Sequence, residues 1–431
     1  MQQVQCPNGG TTTITGKVYA PTPSAYGSPD PLYNALVYVP NGPLAPFTPT
    51  VACETCGTPV SGAPLVEAHT GPDGSFTLTD VPAGSNIPLV IQLGRWRRYV
   101  EIPSVTACQQ NALTDPDMTR FPRTQFETSQ WDNIPQIAMV TGSADPFECV
   151  LRKIGIADSE FTIPTATVPG SNPGRSGRVH VYQNNGATLS GAPTIDDLTG
   201  NLMTLQQYDM VILACDGQCP SGETGGCGSM GGGGGGRSGY TPTTTEQSNV
   251  VTYTNEGGRV FATHFSYAWL WDVAPFSGTA TWGVNGSYGS MSNSTDAVVD
   301  QTFPGGISFA AWLQAVGAST NLGNINIQQY RNDFTAINPA DSQLWLSTAS
   351  GQPLHYTFYT QVGAPANAQC GRVLFSDFHV NPSGGGGGHG GGTFPTECTS
   401  DSGSLSPQEK ALEFMVFDLS SCVSAGGVVA H

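Results

Sequence analysis

The sequence predicts two architectures in series: a β-sandwich over residues 1–110, then, after a linker at 111–134, a mostly parallel α/β sheet with helices on both faces over 135–431. Three observations carry this. Short apolar runs with period two fill the first hundred residues. From about Pro135 strands and amphipathic helices alternate. Gly, Pro, Asn and Asp punctuate nearly every change of element.

In the first region the strands are TTTITGKVYA, ALVYVP, PLVEAHT, GSFTLTDVP and IPLVIQLGRWRRYVEIP. Their spacing is that of a sandwich. A Pro-rich stretch, Pro21 to Pro64, interrupts them and carries Cys53-Glu54-Thr55-Cys56. In the second region IPQIAMVTG, GRVHVYQ, YDMVILACD, RVFATH, LHYTFYTQVG and GRVLFSDFHV read as strands. DPFECVLRKIG reads as a helix opening on an Asp145-Pro146 cap. Residues 194–203, 243–256, ISFAAWLQAVG and SPQEKALEFMVFDLSSC read as further helices. Two glycine-rich stretches, 231–236 and 384–392, fall after strand ends and are expected to be loops over one rim.

Composition narrows the function classes. The chain has 431 residues, with 15 Lys+Arg against 32 Asp+Glu and a formal net charge of −17. So acidic a surface repels phosphate backbones, which argues against nucleic acid as a partner. Only 11% of residues are charged, yet 38% are hydrophobic, enough for packed cores. No stretch of about 18 apolar residues appears, so no membrane span is expected. Lysine scarcity and 11 cysteines suit an exported chain with disulfides and one spare thiol, at the cell surface or secreted. Met1-Gln2-Gln3 shows no export signal, which is expected to have been removed.

The expected bridges are Cys6–Cys108, Cys53–Cys56, Cys149–Cys422, Cys219–Cys227 and Cys370–Cys398, leaving Cys215 free. A Cys215–Cys219 bridge stays open, as does zinc at the Cys53/Cys56 pair. Asp73 in the Gly-Pro-Asp-Gly turn is a candidate calcium ligand that turn chemistry alone also explains. Trp96-Arg97-Arg98 is a basic spot expected to form an ion-pair patch between the two regions.

The candidate site lies at the carboxyl ends of the strands. RVFATH turns abruptly at His264, which is expected to be presented to solvent as a nucleophile is on a strand–elbow–helix. Cys215 and Asp216 end YDMVILACD, and Asp377 and His379 end GRVLFSDFHV. His264, His379, Asp216 and Cys215 are the catalytic candidates, and His264, His379 and Asp377 the candidate ligands for a divalent metal. No other cofactor is expected.

Gly16-Lys17-Val18, Thr70-Gly71-Pro72-Asp73-Gly74-Ser75-Phe76-Thr77-Leu78 and Val81-Pro82-Ala83-Gly84 resemble the carboxypeptidase-regulatory, transthyretin-like domain, which implies a small non-catalytic sandwich. Tyr208-Asp209-Met210-Val211-Ile212-Leu213, Gly258 to Ser266, and Phe378-His379-Val380-Asn381 are similar to three segments of the class I glutamine amidotransferase-like fold, a flavodoxin-like arrangement. The resemblance puts His264 at the nucleophile position, His379 at the catalytic histidine and Asn381 where the orienting glutamate belongs. A Cys–His–Glu triad lacks two parts here. The layout is similar to secreted carboxypeptidase-regulatory-like proteins of bacteria. It implies a non-catalytic surface module for adhesion, glycan contact or self-assembly with protein partners. The alternative is a hydrolase using the His264/His379 rim.

Overall fold

The computed structural model describes residues 3–171, 174–218, 220, 239–284, 292–380, 392–400 and 403–423. Asn381, Cys219, Cys227 and nearly all of both glycine-rich stretches lie outside these residues.

One ten-stranded mixed sheet organises the chain. Six of its strands are parallel, in spatial order Phe161–Thr162, Val179–Tyr182, Ile137–Val140, Met210–Leu213, Arg259–Thr263 and Gly371–Ser376. The chain starts in the middle, at Ile137–Val140, crosses to the edge at Phe161–Thr162, returns to fill the gap with Val179–Tyr182, and then builds the other side. The direction of winding therefore reverses between Ile137–Val140 and Met210–Leu213, which is where open α/β sheets bind ligands. Four antiparallel strands, Pro353–Thr360, Ser342–Thr348, Ser292–Val299 and Asn324–Tyr330, extend the sheet beyond Gly371–Ser376.

Period-two alternation divides the side chains between two cores. Ile137, Met139, Met210, Ile212, Phe261 and Leu374 join one cluster with helices Phe147–Ile154, Pro304–Ala315 and Pro407–Ser420. Ala138, Val140, Val211, Leu213, Val260 and Phe375 join the other with helices Ile195–Thr199, Leu202–Leu205 and Thr244–Asn255. Both faces are covered, which is why the central strands read as continuous apolar runs rather than alternating ones.

The first region forms two smaller sheets. One contains Ser75–Leu78, Thr13–Lys17 and Gln110–Ala112; the other contains Pro64–His69, Leu36–Pro40, Gly84–Leu93 and Trp96–Val105. Ile14, Phe76, Val37, Leu89 and Ile102 from both sheets belong to the same cluster as the carboxyl-terminal helix. Trp96 packs against Phe417 of that helix, the ring centres 5.2 Å apart and the planes tilted by 52°. The segment 111–134 is tied in closely: Asp132 is fully buried against Arg98 at 3.1 Å.

The Pro-rich stretch is more than an insertion. Its Leu36–Pro40 strand sits inside the four-stranded sheet, and its two cysteines fasten it to the α/β region. The bridges are Cys6–Cys108, Cys53–Cys370, Cys56–Cys422 and Cys149–Cys398. Cys6–Cys108 agrees with the sequence expectation. Cys53–Cys56, Cys149–Cys422 and Cys370–Cys398 do not form, and with both thiols oxidised the Cys53/Cys56 pair holds no zinc. Cys53–Cys56 and Cys370–Cys398 are expected because they are near in sequence, whereas here Gly257 lets the Pro-rich stretch approach the sheet and take Cys370 and Cys422. Gly257 has φ 118°, and a Cβ on it would lie 2.3 Å from the Ala52 carbonyl oxygen, beside Cys53.

Ion pairs follow the same seam. Arg95 bonds Glu54 at 2.8 Å and Asp209 at 2.7 Å, joining the Pro-rich stretch and the central sheet. Arg97 and Arg98 stay on the side of the amino-terminal sheets, bonding Trp131 and Asp132. The contact across the seam is therefore made by Arg95, and Trp96 adds packing rather than charge. Lys153 and Glu409 pair at 2.8 Å with side chains 2% exposed, linking two helices of one face. Asp73 accepts from Ser75 and pairs with Lys17, as turn chemistry requires.

Peptide mapping of the unreduced protein is expected to recover Cys53–Cys370 and Cys56–Cys422 cross-links. A Cys53–Cys56 peptide would contradict the fold's long-range stapling. Replacing both Cys56 and Cys422 by Ser should cost about 2–4 kcal/mol in denaturant unfolding.

Candidate functional site

Four side chains converge where the central strands end. Cys215 lies two residues past Met210–Leu213, His264 directly follows Arg259–Thr263, and His379 lies three past Gly371–Ser376. Asp145 follows Ile137–Val140, just before helix Phe147–Ile154. All four are fully buried.

His264 turns the chain. Its φ of 46° lies in the left-handed region, where a non-glycine residue is held at a cost of about 1–2 kcal/mol, and it opens a 3-10 helix, His264–Trp269. The elbow read from the sequence is present. The side chain is not presented to solvent, however, because Phe265 and His379 pack against it, at ring distances of 4.5 Å and 4.2 Å.

The contacts form a chain. Cys215 Sγ lies 3.1 Å from His264 Nδ1. The His264 ring stacks on His379, with 23° between planes. His379 Nδ1 lies 2.8 Å from Asp145 Oδ1. Asp145 also accepts from the Val380 amide at 3.0 Å and the Thr263 hydroxyl at 2.6 Å. The Cys215 amide donates to that same hydroxyl at 3.0 Å. Gly142 allows the close approach, since a Cβ there would meet the Cys215 carbonyl oxygen at 2.0 Å. Among the described residues, Nε2 of His264 and Nε2 of His379 have no hydrogen-bond partner.

Electrostatics keep the pair neutral. Burial pushes the Cys215 thiol well up, and the Asp145 and Asp216 carboxylates add to this. Burial, then His379 and Arg331, hold His264 well below the ordinary histidine range. A neutral thiol facing a neutral imidazole is a poor nucleophile pair, because the thiolate is the reactive form.

The structure unites His264, His379 and Cys215, and it separates two other candidates from them. The Asp216 carboxylate accepts from the Gln218 and Tyr240 amides, so it clips a loop. Asp377 accepts from the Asp333 amide beside the Arg331–Asp333 pair, and burial with Asp333 nearby raises it well above the usual carboxylate range. The ligating atoms of Cys215, His264 and His379 all lie within 4.8 Å of one another, and Asp377 is not in that set. Asp145 is the residue that sequence reasoning placed elsewhere. It reads as a helix cap, yet the helix has Pro146 at its N-cap with no side-chain cap.

No family model matches this chain, and no curated protein matches it. Among solved structures, a cytoplasmic protein from Salmonella typhimurium aligns at 11% identity and TM-score 0.28, over 47% of this chain and 72% of its own. An exo-β-1,4-mannosidase from an Opitutaceae bacterium aligns at 11% identity and TM-score 0.25, over 57% of this chain and 31% of its own.

Just behind the site, burial, with Glu397 and Asp145 near, pushes Glu148 from 4.5 up to about 8. The folded chain thus keeps a proton that the unfolded chain releases above about 4.5. Stability from this group is complete below that pH and is lost as pH rises toward 8. Glu148→Gln is expected to flatten the stability–pH curve across this window. Urea midpoints measured from pH 4.5 to 8 check it, and equal slopes in both proteins would contradict it.

Proposed function

We propose that this is an extracellular, disulfide-braced protein with a transthyretin-like sandwich and an amidotransferase-like α/β domain that has no amidase chemistry. In this reading the domain serves adhesion, glycan contact or extracellular assembly. The carrying observation is the elbow. Where an amidotransferase needs an accessible thiol, this chain has an imidazole with zero exposure, wedged between two rings. The nearest thiol, Cys215, is on the neighbouring strand, buried and neutral.

Four disulfides and the absence, among the described residues, of a helix long and apolar enough to cross a membrane are compatible with the extracellular setting. A scarcity of charge together with abundant polar uncharged residues fits a surface that meets other neutral surfaces, such as glycans or protein.

A second reading, a hydrolase at the His264/His379 rim, is favoured by the stacked imidazoles and by Asp145 behind one of them. That is the arrangement of a base with its orienting carboxylate. Burial weighs against it, because a general base must come within about 3 Å of the proton it takes.

Purified protein is expected to release no ammonia from glutamine above the buffer rate, and His264→Ala is expected to leave that rate unchanged. Glutamine hydrolysis that disappears in His264→Ala would overturn the non-catalytic reading.

A further inference from the structure

Four strand ends meet in a buried knot that hydrogen bonds only half explain. Asp145 is saturated by Thr263, His379 and Val380. On the other side, Cys215 Sγ and two imidazoles face one another, and both Nε2 atoms are orphaned among the described residues. A buried polar atom without a partner costs about 1–3 kcal/mol. One such atom, His379 Nε2, belongs to a ring whose Nδ1 is already held by Asp145, and beside a free buried thiol it calls for an occupant.

We propose that Cys215, His264 and His379 bind one soft divalent transition-metal ion, with zinc the best fit. The inference does not depend on whether the domain is catalytic.

Donor chemistry selects the ion. One sulfur and two imidazole nitrogens suit zinc and its neighbours and not magnesium or calcium, which take oxygen. Spacing agrees. Donors about 2.3 Å and 2.0 Å from one ion at a tetrahedral angle lie about 3.5 Å apart, and Cys215 Sγ and His264 Nδ1 lie 3.1 Å apart, so His264 would ligate through Nδ1 and not through its unpartnered Nε2. His379 has the arrangement of a metal-bound histidine. Its Nδ1 is held by a carboxylate, which fixes the ring and leaves Nε2 to ligate. A small ligand such as water completes four-coordination.

Charge balances as well. Binding replaces the thiol proton, which leaves to solvent. The ion at +2, the thiolate at −1 and the Asp145 carboxylate at −1 sum to zero, so the knot is neutral as a whole. The other cluster of metal-ligating side chains among the described residues, Cys149, Glu397 and Cys398, offers no such site, because its two sulfurs are bonded to each other.

The test is elemental analysis of the full chain expressed with supplementary zinc and purified without chelator, repeated with cobalt. About one equivalent of metal per folded chain is expected, and the cobalt form should show a thiolate-to-cobalt charge-transfer band. Cys215→Ser should lose that band, His379→Gln should lose the metal, and Asp145→Asn should weaken binding about 10–100-fold. Circular dichroism reports which variants fold. Should the variants not fold, the wild-type cobalt spectrum still decides, since bound cobalt without the thiolate band overturns the site. Folded wild-type protein free of metal after growth in zinc and in cobalt overturns it too, as does metal retained unchanged in Cys215→Ser and His379→Gln.

Discussion

The Asp145 carboxylate holds the second half of this molecule together. It is fully buried, and its two oxygens accept from the Thr263 hydroxyl, the His379 ring and the Val380 amide. Those partners belong to the ends of two other strands, and Asp145 itself follows a third. A buried carboxylate is tolerable only when it is well partnered. The fold therefore has to deliver all three partners together, and the parallel register of the neighbouring strands brings their ends side by side to do so. Thr263 passes the constraint on by accepting from the Cys215 amide, which brings in the fourth strand end.

The packing around the knot explains why a strained residue survives there. His264 sits at φ 46° because Phe265, His379 and Cys215 fix its ring on three sides. Local strain of this kind persists only when the surroundings over-determine it. His379 is fixed from below too, where Gln408 of the carboxyl-terminal helix donates to its carbonyl oxygen. That helix belongs to the core it shares with the amino-terminal sheets, and Cys422, just past its end, is joined to Cys56 of the Pro-rich stretch. The amino-terminal region thus buttresses the site from a distance, through covalent bonds and shared apolar surface.

Much of this was legible in the residues. Continuous apolar runs such as MVIL and RVFAT mark strands covered on both faces, and the strand ends they define bring His264, His379 and Cys215 to one rim. The role of Asp145 was not legible. Asp before Pro at the start of an amphipathic helix is a capping pattern, and only tertiary contacts turn the side chain toward His379. Asp377 failed for the opposite reason. Its position beside His379 in sequence suggests a shared site, but it comes one residue after Ser376 at the strand's end and bonds to Asp333. Disulfide partners hundreds of residues apart, as in Cys56–Cys422, leave no local trace. The antiparallel edge had a short signal, since Ile325 and Ile327 alternate with polar residues over NINIQ, but a parallel α/β template has no place for it.

Asp145 and His379 act as one buried unit. A double-mutant cycle on Asp145→Asn and His379→Gln, followed by equilibrium unfolding, measures their coupling directly. A coupling energy of about 1–3 kcal/mol is expected, within the range of side chains sharing one network. Additive effects, with a coupling near zero, would mean that the two residues merely lie side by side and that the strand ends are held by something else.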